Sequence, residues 1–227
     1  MTVATLIGPL NRLKGLIADT GGLALIEFAL GLPLVLMMGG YGIELSNLAL
    51  ANLRVSQYAL ELADNASRVG VDSGLSTVQL READINDVLQ GVRLEGKPLA
   101  LTTHGRVILS SLEGQADGTQ LLHWQRCIGA MSGADYDSHY GTPGSGSGGK
   151  VVNGMGTPGD LVTAPVSSGV MFVEVNYQYQ PLFGSMFSSK RIIRYTASFI
   201  VRDRRDFSQV YNPSPAATPS SCSTYAT

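Results

Sequence analysis

Charged residues are few in this chain, and neither sign dominates. Only 15% of its 227 residues are charged, with 16 Lys and Arg against 18 Asp and Glu, which gives a formal net charge of −2. A nucleic-acid-binding domain is expected to carry a basic patch, so this balance argues against that class of protein. Hydrophobic residues make up 44% of the chain, which is typical of a folded protein rather than a disordered one.

Catalytic motifs are also missing. No G-x-S-x-G nucleophile elbow occurs, and the sequence places no acidic partner beside any of the three histidines. The stretch GSGSGGKV, residues 144–151, formally matches G-x-x-x-x-G-K. However, Val151 stands where a phosphate-binding loop needs Ser or Thr for Mg²⁺. We therefore predict that the protein is not an enzyme and that it uses no cofactor and no small-molecule substrate.

One segment of 17 residues contains several side chains that can bind zinc or calcium; they are His123, Cys127, Asp135, Asp137 and His139. Their spacing matches no metal-binding motif, and Cys127 cannot both bind zinc and form a disulfide. Asp135 and Asp137 are consistent with weak Ca²⁺ binding or with a solvated turn. We predict no specific metal site in this segment.

Cysteine is nearly absent. Cys127 and Cys222 are the only two in the chain. Two cysteines in an exported domain favour one disulfide, although two unrelated thiols are the alternative. Such a bond would close a loop of about 95 residues and would tie the C-terminal tail to the domain.

One long hydrophobic run contrasts with these scarcities. Residues 23–43 are 21 residues with a single charge, that of Glu27. A helix of this length spans about 31 Å, close to the thickness of the hydrocarbon core of a bilayer. Because Arg12 and Lys14 precede the run, the positive-inside rule predicts a cytoplasmic N-terminus and an exported chain after residue 45.

A cleaved signal peptide is the main alternative for this run. Ala49-Leu50-Ala51 fits the small-residue cleavage pattern, but the run is longer than a signal-peptide core and contains Glu27. Beyond it, apolar residues recur at intervals of three and four, which predicts an amphipathic continuation of the same helix. We therefore expect a transmembrane helix at 23–45 and an exported extension at 46–70 that ends at Gly70. Its apolar stripe should pack on the domain's own sheet; the stripe comprises Leu48, Ala51, Val55, Tyr58, Leu62 and Val69.

Residues 71–211 are predicted to form the exported domain. A short helix is expected within 76–93, and residues 99–114 are typical of a hairpin of two short strands around His104-Gly105. QLLHWQRCIGA, residues 120–130, predicts a further strand. The clearest strands are GVMFVEVNYQYQPLFG and RIIRYTASFIVRDR, at 169–184 and 191–204, and they suggest an antiparallel pair.

The remaining parts of the domain have weaker patterns. A Gly/Ser-rich loop is predicted at about 132–160, and RDRRD, residues 202–206, is interpreted as a solvated strand end. The tail, 212–227, is expected to be poorly ordered unless Cys222 ties it down. The predicted fold class is α+β: a long N-terminal transmembrane and amphipathic helix, followed by a small antiparallel β-sheet domain.

A specific pattern begins the hydrophobic run: GGLALIEF, residues 21–28, in which Glu27 is the fifth residue after Gly22. It resembles the processing site of type IV pilin-like proteins. Together with the ALGLP that follows and contains Pro33, it resembles the TadE group of pseudopilins of tight-adherence (Tad) pilus systems. Phe28 stands where that group usually has Tyr. The resemblance covers about the first 70 residues well and the C-terminal strands loosely.

The resemblance implies a function in assembly. A membrane-embedded prepilin peptidase would cut between Gly22 and Leu23 and remove residues 1–22 as a cytoplasmic leader. Glu27 and Phe28 would then lie at the assembly contact. The Glu27 carboxylate would pair with the N-terminal amine of a neighbouring subunit, because pairing offsets the cost of two charges in a membrane.

The implied protein is a minor pilin-like subunit, since the main Tad pilins are much shorter than this chain. It would be a single-pass protein of the bacterial inner membrane with a periplasmic domain, incorporated into a pilus. The expected partners are the membrane, the prepilin peptidase, other pilin-like subunits and pilus assembly components, but no nucleic acid. The alternative is an unprocessed bitopic inner-membrane protein that scaffolds an envelope assembly.

Overall fold

The computed structural model describes residues 21–70, 77–141 and 150–226. Most of the predicted leader, with Arg12 and Lys14, lies outside the described residues. Most of the segment 144–151 does too. The predictions made for these two segments therefore stay predictions.

Seven strands occur in the described chain. In chain order they are β1 (Gly105–Gly114), β2 (Gln120–Ile128), β3 (Lys150–Val152), β4 (Met155–Thr157), β5 (Asp160–Val162), β6 (Ser168–Gln178) and β7 (Ile192–Ile200). Five of them form one antiparallel sheet in the order β3-β2-β1-β6-β7, while β4 and β5 form a separate hairpin. The predicted pair of clear strands is confirmed, since β6 and β7 pair in antiparallel register with Val173 opposite Ala197. The strand predicted around Trp124 is confirmed as β2.

One helix of 48 residues, α1 (Gly21–Arg68), precedes the sheet. Its second half packs across β6 and β7. The predicted apolar stripe makes this contact, because Ala51, Val55, Tyr58 and Leu62 are buried in the same core as Val173 of β6. With a long helix on a small antiparallel sheet, the predicted α+β fold class is confirmed.

A second helix, α2 (Glu82–Glu95), packs beside α1. Its N-terminus is capped by Asp84, which accepts a hydrogen bond from the backbone N–H of Arg81 at 3.0 Å. Arg126 of β2 forms a bidentate ion pair with Glu82, so α2 is tied to the sheet by charge as well as by apolar contact. A 3₁₀ turn (Lys97–Leu99) and α3 (Leu101–His104) then lead into β1.

The opposite face of the sheet is covered as well. The segment 131–141 lies over β6 there: Glu174 accepts hydrogen bonds from Ser138 Oγ at 2.6 Å and from the backbone N–H of His139 at 3.0 Å, and Asn176 donates to the carbonyl of Tyr136. The C-terminal tail lies over β1 and β2, where a disulfide joins Cys127 to Cys222. The polar residues that alternate along β6 are therefore buried rather than solvated.

Two parts of the sequence reading were wrong. Residues 99–114 do not form a hairpin, because 101–104 are α3 and 105–114 are the single strand β1. Gly105 is needed for close packing rather than for a turn: a Cβ there would lie 2.8 Å from the carbonyl oxygens of Asn176 and Leu101. Within the predicted loop at 132–160, the structure places β3, β4, the turn at 158–159 and the first residue of β5.

The solvated-surface interpretation of residues 202–206 is wrong for one residue. Arg202 and Arg204 are exposed, but Arg205 is buried. Its guanidinium donates to the carbonyls of Ala66 and Ser67 at 3.0 and 3.1 Å. These carbonyls belong to the last turn of α1, which lacks intrahelical donors and carries the negative end of the helix dipole, so Arg205 caps that end.

Candidate functional site

The first half of α1 extends away from the domain. Residues 21–43 are exposed, apart from Gly31 and Gly40, which are half-buried. By length and composition this helix can cross a membrane, and within the described residues none of its most apolar stretch is buried. A core helix of a soluble protein would bury this surface, so the arrangement is that of a helix whose apolar half is left for another environment.

The four residues predicted for processing and assembly lie in the first two turns of α1. Apart from its own turn of the helix, no atom of the described part of the chain lies within 4 Å of the position that a Cβ on Gly22 would occupy. Leu23 and Phe28 are 58% and 62% exposed. Leu23 and Glu27 are four residues apart, which places them on one face of the helix about 6 Å apart along its axis. All four residues are exposed in these two turns.

A second carboxylate, Glu44, ends the apolar half of α1, and it is only 1% exposed. It accepts hydrogen bonds from the Tyr179 hydroxyl at 2.6 Å and from the backbone N–H groups of Leu182 and Phe183 at 3.0 and 3.3 Å. Burial, with the hydrogen bond to Glu44 as a further cause, raises the pKa of Tyr179 to about 12, so the phenol remains a donor. This buried cluster joins the helix to the connection between β6 and β7.

Sequence reasoning did not identify this junction. Glu44 reads as an ordinary polar residue after a membrane span, and Tyr179 as the end of a strand. One signal could have found it: the connection PLFGSMF, residues 181–187, is apolar, whereas a turn between two surface strands is usually polar. An apolar turn near a membrane-length helix indicates that the two elements share an apolar environment.

The potential metal ligands do not form one site. His123 contacts Glu113, Asp135 pairs with Arg194 at 2.6 Å, and Cys127 is in the disulfide. Asp137 accepts hydrogen bonds from the backbone N–H of Gly133 and from the hydroxyl of Tyr225, while His139 lies beside Glu174. Within the described ranges, no group of three or more His, Cys, Asp or Glu residues is placed to hold a metal ion.

Comparison of the chain with protein-family models, curated proteins and solved structures gave no match. The class that the fold itself defines is a single long helix, apolar and exposed in its first half, that carries a disulfide-bonded α+β domain on its second half.

Proposed function

We propose that the protein is a minor pilin-like subunit, a pseudopilin, that contributes to assembly of a Tad-type pilus or secretion apparatus. It is inserted in the bacterial inner membrane, with its domain in the periplasm, and a prepilin peptidase cuts it after Gly22. The observation that carries the proposal is the exposed apolar half of α1, which begins at a glycine pair and contains Glu27 as its one charge before Glu44.

The chemistry of Glu27 supports this proposal. An ionised carboxylate near the edge of a hydrocarbon core is costly unless it is paired. Cleavage after Gly22 would create a positive amine at Leu23, one helical turn from Glu27, so each mature chain would present one cation and one anion at the same end. Pairing between neighbouring chains would favour docking in one register, since a shifted chain would leave both charges unpaired.

The disulfide is consistent with the periplasmic location of the domain. Disulfides form and persist in oxidising compartments such as the periplasm, and they are rare in the bacterial cytoplasm. The bond between Cys127 and Cys222 therefore favours export of the part of the chain that follows α1.

Processing is tested by measuring the N-terminus of the full-length protein in membranes, with and without a co-expressed prepilin peptidase. We expect loss of residues 1–22 and a new N-terminus at Leu23 when the peptidase is present. Gly22→Trp should abolish cleavage, because the small residue at the cut is replaced by a bulky one. Gly31→Trp is the matched control, since a Cβ on Gly31 would likewise meet no other described part of the chain within 4 Å, and it should be cleaved normally. An intact Met1 in the parent protein would refute the proposal and favour the unprocessed scaffold.

Glu27→Gln tests the assembly contact. The variant should stay in the membrane. Its association with neighbouring subunits should fall by about tenfold or more, because the amine at Leu23 loses its partner in a low-dielectric environment. The measurement is the yield of crosslinked subunit complexes in membranes. Glu61→Gln is the control, since Glu61 is an exposed acid on the exported part of the same helix. Equal yields of crosslinked complexes for Glu27→Gln and Glu61→Gln would show that Glu27 does not take part in the assembly contact.

A further inference from the structure

The connection between β6 and β7 carries an apolar surface, which we call the loop tip and define as residues 181–187. From Gln180 to Ser189 this connection contains no charged residue. Leu182, Phe183 and Met186 of the loop tip are 59%, 44% and 76% exposed. Several large apolar side chains exposed together mark a surface that contacts something other than water.

The loop tip is seated against the apolar half of α1. The Phe187 ring lies so close to Gly40 that a Cβ on this glycine would be 2.9 Å from it. Phe183 packs on Phe187 edge to face, with ring centroids 5.5 Å apart. Together the two elements enclose an open groove with almost purely apolar walls, lined by Val35, Leu36 and Ile43 of α1 and by Phe183, Met186 and Phe187 of the loop tip.

The position along α1 sets the depth of the loop tip. Gly40 lies three residues inside the end of the apolar run 23–43, which is about 4.5 Å along the helix axis, and Val35 lies about 12 Å inside. Apolar faces of interfacial elements typically sink about 5–10 Å into the boundary between headgroups and acyl chains. If the run spans a membrane, as the proposed function requires, the loop tip lies at that depth.

The charges around the loop tip fit the same environment. Glu44 is hidden beneath it, with the carboxylate satisfied by Tyr179 and by two loop N–H groups. Lys190 and Arg191, which follow the loop tip, are exposed, and basic residues next to a membrane surface are attracted to anionic lipids. A second copy docked through the same surface would bring its own Lys190 and Arg191 to this place, and like charges disfavour that arrangement.

We propose that the loop tip inserts into the membrane leaflet on the domain side, beside α1. The protein then contacts the bilayer at two places, the helix and the loop tip. Because Glu44 clamps the two together, the orientation of the domain relative to the membrane is set by this second contact. The inference rests on the membrane span of the proposed function.

Fluorescence quenching by lipid tests the insertion in the full-length protein. The parent contains one tryptophan, Trp124, which is buried in the core and provides the baseline. Met186→Trp places a reporter at the most exposed of the large apolar side chains of the loop tip, and Leu182→Trp provides a second one in case the first perturbs folding. Each variant is reconstituted in vesicles of phosphatidylethanolamine and phosphatidylglycerol, with ordinary or brominated acyl chains.

Two further reporters separate the inference from the proposed function. Leu30→Trp reports the span, since Leu30 is 70% exposed in the apolar half of α1. Leu161→Trp is the matched control, because Leu161 on β5 is 45% exposed but lies far from the loop tip. The hairpin of β4 and β5 packs near Val170, at the end of β6 opposite the loop tip.

We expect brominated lipid to quench about half or more of the tryptophan emission that Met186→Trp, Leu182→Trp and Leu30→Trp each add to that of the parent. It should quench none of the emission that Leu161→Trp adds. If Leu30→Trp is quenched while both loop reporters behave like Leu161→Trp, the insertion is refuted and the span stands. If Leu30→Trp is also unquenched, the span itself is refuted. Loop reporters that escape quenching but shift to the blue as the protein-to-lipid ratio rises would show that a second copy covers the loop tip, which also refutes insertion.

Discussion

Replacing Arg106 with alanine should lower the free energy of unfolding by about 3 to 5 kcal/mol. Arg106 lies on β1 and is only 1% exposed. Its guanidinium donates to the carbonyls of Gly129, Thr224 and Cys222 at 2.7, 2.8 and 2.6 Å. The ring of Tyr225 covers it at 4.3 Å from the centroid. Alanine would leave the carbonyls of Gly129 and Cys222 without this buried donor and would open a cavity under the tail.

The charge of Arg106 is part of this effect. Burial lowers the pKa of its guanidinium from the usual value, yet arginine still remains protonated near neutral pH. Since Arg106 faces carbonyl dipoles rather than a carboxylate, the hydrogen bonds and the Tyr225 ring must compensate for its desolvation. Arg106→Lys keeps the charge but loses the planar fork, so we expect an intermediate loss of stability.

Unfolding by urea of the full-length protein in detergent micelles, followed by Trp124 fluorescence, measures this loss. Arg194→Ala is the matched control, because Arg194 is an exposed arginine on β7 whose ion pair with Asp135 faces solvent. Such pairs contribute up to about 1 kcal/mol. If Arg106→Ala costs no more than Arg194→Ala, the tail does not depend on the buried guanidinium.

Removing the disulfide should destabilise the protein by about 4.7 kcal/mol in the chain-entropy description. The bond joins residues separated by 95 positions, so it restricts a large part of the unfolded chain. The paired variant Cys127→Ser/Cys222→Ser avoids a lone reactive thiol. The folded tail should keep its position, because Cys127 and Gly129 donate backbone hydrogen bonds to Ser220 and Ala226 and Arg106 still holds Thr224.

The prediction is tested by urea unfolding of the parent and of the paired serine variant, each with and without a thiol reductant. Reductant should shift the parent to lower urea concentrations and should leave the paired serine variant unchanged, which separates the loss of the bond from the effect of the serines. Identical midpoints for the oxidised and reduced parent would contradict the prediction. Mobility on a gel with and without reductant verifies that the parent starts fully oxidised.

Local sequence patterns correctly predicted the helices and strands whose periodicity depends only on residues close together in the chain. The apolar stripe from Leu48 to Val69 predicted an amphipathic helix because its period follows from the geometry of one helix. Alternation along β6 and β7 predicted two adjacent strands for the same reason. At β1 the local reading failed, because His104-Gly105 resembles a turn while its real constraint is the backbone of Asn176 across the sheet.

The polar residues of β6 show a further limit of local reasoning. Polar residues that alternate with Val173 and Val175 are typical of a strand with one face in solvent, but Glu174 and Asn176 are both buried under the segment 131–141. Burial raises the pKa of Glu174, although the hydrogen bonds from Ser138 and His139 oppose that rise. That second layer consists of irregular backbone, which has no periodicity that a sequence pattern could detect.

By itself, then, the sequence determined a membrane-length helix that begins at GGLALIEF, its amphipathic extension, three of the strands and a favoured cysteine pair. Only the tertiary structure decided which charges are buried. Arg106, Arg205 and Glu44 find their partners 116, 139 and 135 residues away along the chain. A buried charge is tolerated only where such partners satisfy it, and their positions depend on how the whole chain packs. The same packing brings the loop tip beside Gly40, so the second membrane contact that we propose is a property of the fold and not of any single segment.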